Sequence, residues 1–358
     1  MRKRKNWKAN RFHTATAAGI RHNSGTFLPS GMKKCLLIIT AQCCISWVCF
    51  SQSSFHIETS DIDRFWSAYD SLTVASNRAD SIAIFQRLYI DQASPSFQKF
   101  IKLRKFTAEE YVLRIKKAPK FWASVRPFTE AVSNRTAEIE ETFGELEKFL
   151  PGFAPPDVCF AIGTLRTGGT TSKNLVLIGS EISAADTSVD VSELGSWLRS
   201  IIGHTGDLTS MVAHEAIHTR QKGIPGWEIF KLIRHQKLSL LNMSILEGSA
   251  DFVTEKAAGL NINRPVHTFA SQRKCELRQA FLADINAHPF DYSRWLYNGG
   301  KTDLGHADLG YYIGYVISEQ FYNSSTDKEA ALKLLMRRGK YKKVFRKSGF
   351  KEQLEGCP

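Results

Sequence analysis

Acidic residues are missing from the first 34 positions, which hold nine Lys or Arg, and positions 35–52 carry no charge of either sign. Nine of the formal +13 charges therefore sit in this leader, leaving only +4 for everything after Gln52. Strong basic character belongs to the leader, so the body gives no electrostatic case for nucleic-acid binding. Internal repeats and heptad runs are absent, which excludes solenoids and long coiled coils. No C-x-x-C pair occurs, so neither a zinc ribbon nor a dithiol redox site is expected. Gly168-Gly169 is not followed by Gly-Lys-Ser/Thr, so it is no phosphate loop. With 24 Gly and 11 Pro, the chain is neither collagenous nor low-complexity. What remains is a 358-residue chain, 43% hydrophobic and 23% charged, long enough for one large domain or two lobes.

The leader has a transport logic. Met32-Lys33-Lys34 precedes an apolar stretch from Cys35 to Phe50, and Cys49-Phe50-Ser51 puts small residues at −3 and −1 of a cut before Gln52. Residues 32–51 thus read as a signal peptide, with 1–31 an upstream extension and the periplasm or extracellular space as destination. An uncleaved anchor is the competing reading, since ~18 apolar residues can just span a bilayer. Bulky Val48 before Cys49 argues against a lipoprotein. Four of the seven cysteines lie in the leader; Cys159, Cys275 and Cys357 remain, and isolated buried thiols are expected of them.

Residues 52–150 read as a helical N-terminal lobe. Ser60-Asp61 caps a helix whose Phe65, Trp66, Tyr69 and Leu72 share one face; Thr107-Ala108-Glu109-Glu110 opens another, and residues 137–150 form a third. Pro151-Gly152 and Pro155-Pro156 break the pattern, and residues 151–350 form the candidate catalytic region. Val158 to Ile162 and Leu175 to Ile178 read as strands joined by a Gly/Thr loop over 163–173. Helices return after Leu194. The class is α+β, mainly helical, with a small edge sheet.

His214-Glu215-Ala216-Ile217-His218 is an H-E-x-x-H motif. On a helix, histidines four apart project from one face and can share a cation. Zinc suits imidazole nitrogen, and three protein ligands leave a fourth position for water. Glu215 stands where it can take a proton from that water. Met211-Val212-Ala213 ahead of the motif indicates a buried helix rather than an exposed one that happens to carry two histidines. A metzincin would need Gly at 221 and His at 224, where this chain has Gln221 and Ile224, so that class is excluded. The third ligand lies elsewhere. Leu246-Glu247-Gly248-Ser249-Ala250-Asp251 supplies downstream carboxylates, with His235 as the fallback.

H-E-x-x-H followed by E-x-x-x-D resembles the gluzincin metallopeptidases of the thermolysin and aminopeptidase type. The resemblance implies a zincin-like fold, Zn2+ bound by His214, His218 and Glu247, and Asp251 orienting His214. The 28 residues between His218 and Glu247 exceed the usual gap, so the intervening loop departs from that pattern. Aminopeptidase-type gluzincins also carry Tyr-x-x-Gly on a helix after the Glu, with the tyrosine bonding the oxyanion. Tyr311-Tyr312-Ile313-Gly314 fits with Tyr311 in that role; Tyr312, one position on, stays open, as does plain aromatic packing by either. The mature chain further resembles a domain-of-unknown-function (DUF) family of predicted zinc-dependent proteases, through the helical N-terminal half, the two motifs and Leu309 to Tyr315. An exported zinc metallopeptidase acting on peptide or protein substrates is the resulting expectation, with Glu215 as general base and strand 175–178 pairing with the substrate. A catalytically idle zincin-fold envelope binding or assembly protein is the alternative. His204, His267, His288 and His306 show no ligand spacing, and the Arg337-to-Lys343 cluster reads as a solvated basic face.

Overall fold

Side chains placed just ahead of the apolar runs start several of the helices. Asn77, Ser94, Thr107, Asp207, Ser239 and Asp327 each accept a hydrogen bond from a first-turn N–H, satisfying donors that a helix start leaves free. The computed structural model describes residues 55–203, 207–223, 238–299 and 302–352, which belong to one compact unit. The signal peptide, upstream extension, anchor alternative, His204, His235 and Cys357 lie outside the described residues.

Strand β1 (Ile57–Glu58) leads into helices α1 (Ser60–Asp70), α2 (Arg78–Phe85), α3 (Pro95–Arg104), α4 (Ala108–Lys117), α5 (Pro119–Glu130) and α6 (Thr136–Phe149). Strands β2 (Asp157–Ala161), β3 (Gly169–Thr171) and β4 (Leu175–Gly179) follow, then α7 (Ser180–Ser183), α8 (Ser196–Ile201), α9 (Leu208–Arg220) and α10 (Leu240–Ala258). The remainder is α11 (Arg264–Ser271), α12 (Lys274–Ala287), α13 (Leu309–Ser324), α14 (Lys328–Leu335) and α15 (Tyr341–Lys347). The expected α+β, mainly helical class is observed. Among the described residues no helix is long and apolar enough to cross a membrane.

The sheet is mixed, in the order β1-β2-β4-β3, with β3 antiparallel on β4 and the other pairs parallel. Two expectations change here. A strand forms inside the 163–173 segment, and β4, buried at every residue and paired on both sides, has no edge for a substrate. Strand β1 forms one sheet edge, and the edge at the cleft belongs to β3. Three residues with no apolar alternation leave no strand signature in the sequence.

Phe65 anchors the helical half, with the rings of Trp66, Phe85, Tyr89 and Trp122 at 4.9–5.6 Å. Buried Tyr89 and Tyr111 both donate to the carbonyl of Ile162, at 2.7 and 2.8 Å, which ties these helices to the end of β2. Beyond that point Glu181 accepts the N–H groups of Gly163 (2.8 Å) and Leu165 (3.0 Å), and burial pushes its carboxyl up to about 7 in spite of them. The loop that feeds β3 is thus pinned from both sides. Cys159 is a buried free thiol, but Cys275 is disulfide-bonded, so isolation holds for the first and not for the second.

Helices α10 and α13 cross in backbone contact. A Cβ on Gly248 would lie 2.0 Å from the nitrogen of Tyr315, and one on Gly314 would lie 1.6 Å from the carbonyl oxygen of Ser244. Neither position accepts a methyl without moving a helix. Gly314→Ala is expected to destabilise by about 1–3 kcal/mol or more through overpacking, although alanine alone would favour the helix by ~1 kcal/mol. Urea denaturation decides the sign, and an unchanged or raised midpoint would contradict the close crossing.

Candidate metal centre

Helix α9 begins at Asp207, whose carboxylate accepts from the N–H of Ser210 at 2.8 Å, and its apolar residues Leu208, Val212, Ala216 and Ile217 are buried. That burial turns His214 and His218 toward α10, which brings Glu247 to meet them. The Nε2 atoms of the two histidines are 3.0 Å apart, and Oε2 of Glu247 lies 3.4 Å from His214 Nε2 and 3.1 Å from His218 Nε2. These three side chains form a group able to hold a metal ion. Motif spacing named the two histidines, and the gluzincin resemblance implied Glu247.

Each member of the group is held by its outer atom. His214 Nδ1 is 2.7 Å from Asp251 Oδ1, as the motif resemblance implied. Asp251 in turn accepts from Asn263 Nδ2 at 2.8 Å through its other oxygen. His218 Nδ1 is 2.7 Å from Gln221 Oε1, and Gln221 is fixed in that orientation because its amide nitrogen donates to Leu246 O and Ser249 Oγ. Glu247 Oε1 accepts from the Tyr297 hydroxyl at 2.5 Å. Acceptors facing both Nδ1 atoms place the ring protons there, which leaves both Nε2 lone pairs aimed at the same point. Two lone pairs and a carboxylate oxygen converging at 3.0–3.4 Å repel one another unless a proton or a metal ion lies between them, and the donor set fits a metal.

The surrounding charges favour positive charge at this point. Burial disfavours an imidazolium, yet the carboxylates of Asp251 and Glu247 outweigh it and push His214 up to about 10. Burial would raise Glu247, but His218 and His214 hold it well below the usual carboxylate range.

Glu215 lies beside the ligands and beneath the edge strand. A Cβ on Gly169 would come within 2.8 Å of Glu215 Cγ and Oε1, so glycine is what lets β3 pass over this carboxylate. Burial pushes the Glu215 pKa up, against the nearby His218, His214 and Arg104. Tyr311 tilts its ring over His214, at 6.2 Å between centroids, and lines the same cleft. Tyr312 does not reach it. One residue further round α13, it packs on His267 at 5.3 Å and lines a separate cavity. The cleft encloses about 640 Å³ between β3, α9, α10 and the start of α13. Gln221, which enters the sequence reading only as a departure from the metzincin pattern, and Tyr297 are site residues the sequence did not point to. Gln221 was visible as the residue three beyond the second histidine, whereas Tyr297 lies in a loop, 50 residues from the ligand it touches, with no local signal.

Removing an outer hold should weaken metal binding more than it disturbs the fold. Asp251→Asn and Gln221→Leu are each expected to lower divalent metal affinity by about 10–100-fold. Competition against a chromophoric chelator, with zinc as the probe ion, measures this beside wild type. Wild-type affinity in both variants would show that these contacts do not orient the ligands. Comparison with family models, with curated proteins and with solved structures finds no match to this chain.

Proposed function

We propose that this protein is an exported zinc metallopeptidase of zincin-like fold. The observation that carries this reading is the convergence of His214, His218 and Glu247 on one point, each fixed from behind, with Glu215 alongside. Two imidazole nitrogens and one carboxylate oxygen form the donor set of a catalytic zinc site with an open position. Bound there, zinc supplies a Lewis acid that polarises the scissile carbonyl and acidifies water.

The protein's own groups account for the rest. A Glu215 carboxylate oxygen accepts the proton of the attacking water and passes it to the leaving nitrogen; its raised pKa suits both halves of that transfer. The Tyr311 hydroxyl, which has no hydrogen-bond partner among the described residues, donates to the oxyanion. The free edge of β3 offers backbone N–H and C=O groups to an extended substrate chain lying along the cleft. The basic and apolar leader supports export, and so does the disulfide at Cys275, since such bonds persist in oxidising compartments.

Glu215→Gln tests this. The near-isosteric amide should retain zinc and fold while losing cleavage by ~10²–10⁴-fold, because it cannot accept the water proton. Tyr311→Phe should cost ~10²–10³-fold at unchanged zinc content. The measurement is zinc stoichiometry beside cleavage of a broad peptide mixture. Undiminished cleavage by Glu215→Gln would remove the metallopeptidase reading, and a zinc-loaded wild type that cleaves nothing would favour the idle binding protein.

A further inference from the structure

Three arginines, Arg104, Arg166 and Arg338, line the cleft together with three carboxylates, Glu215, Glu247 and Asp308. A divalent cation at the ligand group therefore leaves the cleft net positive. The arginines are not equivalent. Arg166 is matched locally: it meets Glu110 at 3.1 Å, donates to Thr164 Oγ1 and to the carbonyl of Arg104, and lies over the Phe106 ring. Arg104 is not matched; Arg338 shares an unpartnered Nε, but of the two it is Arg104 that is bonded to Thr167 at the entry to β3. Its guanidinium donates to Thr167 Oγ1 at 3.2 Å, its buried Nε has no partner, and it forms no ion pair among the described residues. Burial and the neighbouring Arg166 both work against its charge; of the groups that act on it, only Glu215 favours that charge.

A half-buried cation held next to a like charge is costly unless an anion completes it. Its place is informative as well. Thr167 leads directly into β3, so Arg104 stands beside the strand edge available to substrate and close to the general base. Glu215 cannot serve as its fixed partner, because that carboxylate must stay free to take a proton. Arginine presents a fork of N–H donors that matches a carboxylate two-to-two, and partial burial strengthens the pairing.

We propose that Arg104, supported by Arg166, is a carboxylate-binding subsite, and that the substrate is a peptide carrying a carboxylate next to the scissile bond. This rests on the metallopeptidase reading and deepens it. The carboxylate comes from an acidic side chain or from a free peptide C-terminus, and the two sources are separable by experiment.

The test is binding, so that it does not depend on turnover. Zinc-loaded Glu215→Gln protein is titrated with one peptide core in four forms: with Asp or Asn at a scanned position, and with a free or an amidated C-terminus. At least one carboxylate form should bind about tenfold or more tightly than its amide counterpart. Which pair shows the difference identifies the source. Adding Arg104→Gln should erase the difference while leaving the amide peptide's Kd and the zinc content unchanged, and Arg104→Lys should restore only part of it. Equal binding of carboxylate and amide forms, a preference that survives Arg104→Gln, or no binding of any form would each overturn the proposal. Wild-type cleavage of the same peptides is scored separately: carboxylate-dependent binding without cleavage would remove the peptidase reading and leave the subsite standing.

Discussion

Backbone contact between Gly248 and Gly314 is the constraint on which the site depends. Helices α10 and α13 approach until a single methyl at either glycine would strike main chain of the other. Glu247 precedes one of these glycines directly, and Tyr311 lies one turn ahead of the other. Closeness of the two helices therefore sets the distance between a ligand and the tyrosine that faces it. Ser318 hydrogen-bonds the carbonyl of Gly314 at 2.7 Å within the same buried contact, so small polar side chains line the crossing where larger ones would hold it open.

The second organising feature is a buried group of charges able to hold a cation. His214, Glu247 and Asp251 are all nearly inaccessible, and isolated charges in such a place are expensive. Gln221 contributes more than one hydrogen bond here. By bonding His218 on α9 and Leu246 and Ser249 on α10 at once, it fixes the two ligand-bearing helices against each other. On the far side of the cleft, Tyr89, Tyr111 and Glu181 hold the segment that leads to β3. The N-terminal helices thus contribute to the position of the edge strand through hydroxyls rather than through apolar packing alone.

Legibility in the sequence followed helical periodicity. His214 and His218, and Glu247 and Asp251, lie on regular helices at spacings of four, so each pair's shared face could be read from residue numbers; the gluzincin resemblance implied that the two pairs meet, and the structure brings them together. The same periodicity on α13 left Tyr311 and Tyr312 unresolved, because choosing between neighbours needs the direction in which the helix presents its faces. Strand β3 could not be read: its identity comes from pairing with β4 and from the glycine that fits over Glu215. Arg104 was passed over among the many cations of the chain, since the absence of a partner is visible only in three dimensions. Arg338, assigned to a solvated basic face, lines the cleft instead, while Lys342 and Lys343 of that cluster are exposed as expected.

Tyr297 gives the ligand group an uneven hold. His214 and His218 are steadied from the interior, whereas Glu247 is steadied from a loop whose tyrosine is 57% exposed and takes a left-handed backbone, φ 56°, that non-glycine residues seldom adopt. Two of the three grips belong to the core and the third to the surface. For an ion held as proposed, residence time would depend on this loop, because a change in its conformation would free the outer oxygen of Glu247 without unfolding a helix. Capture and release of such an ion would then be separable kinetic properties, the first belonging to α9 and α10 and the second to a segment that solvent can reach.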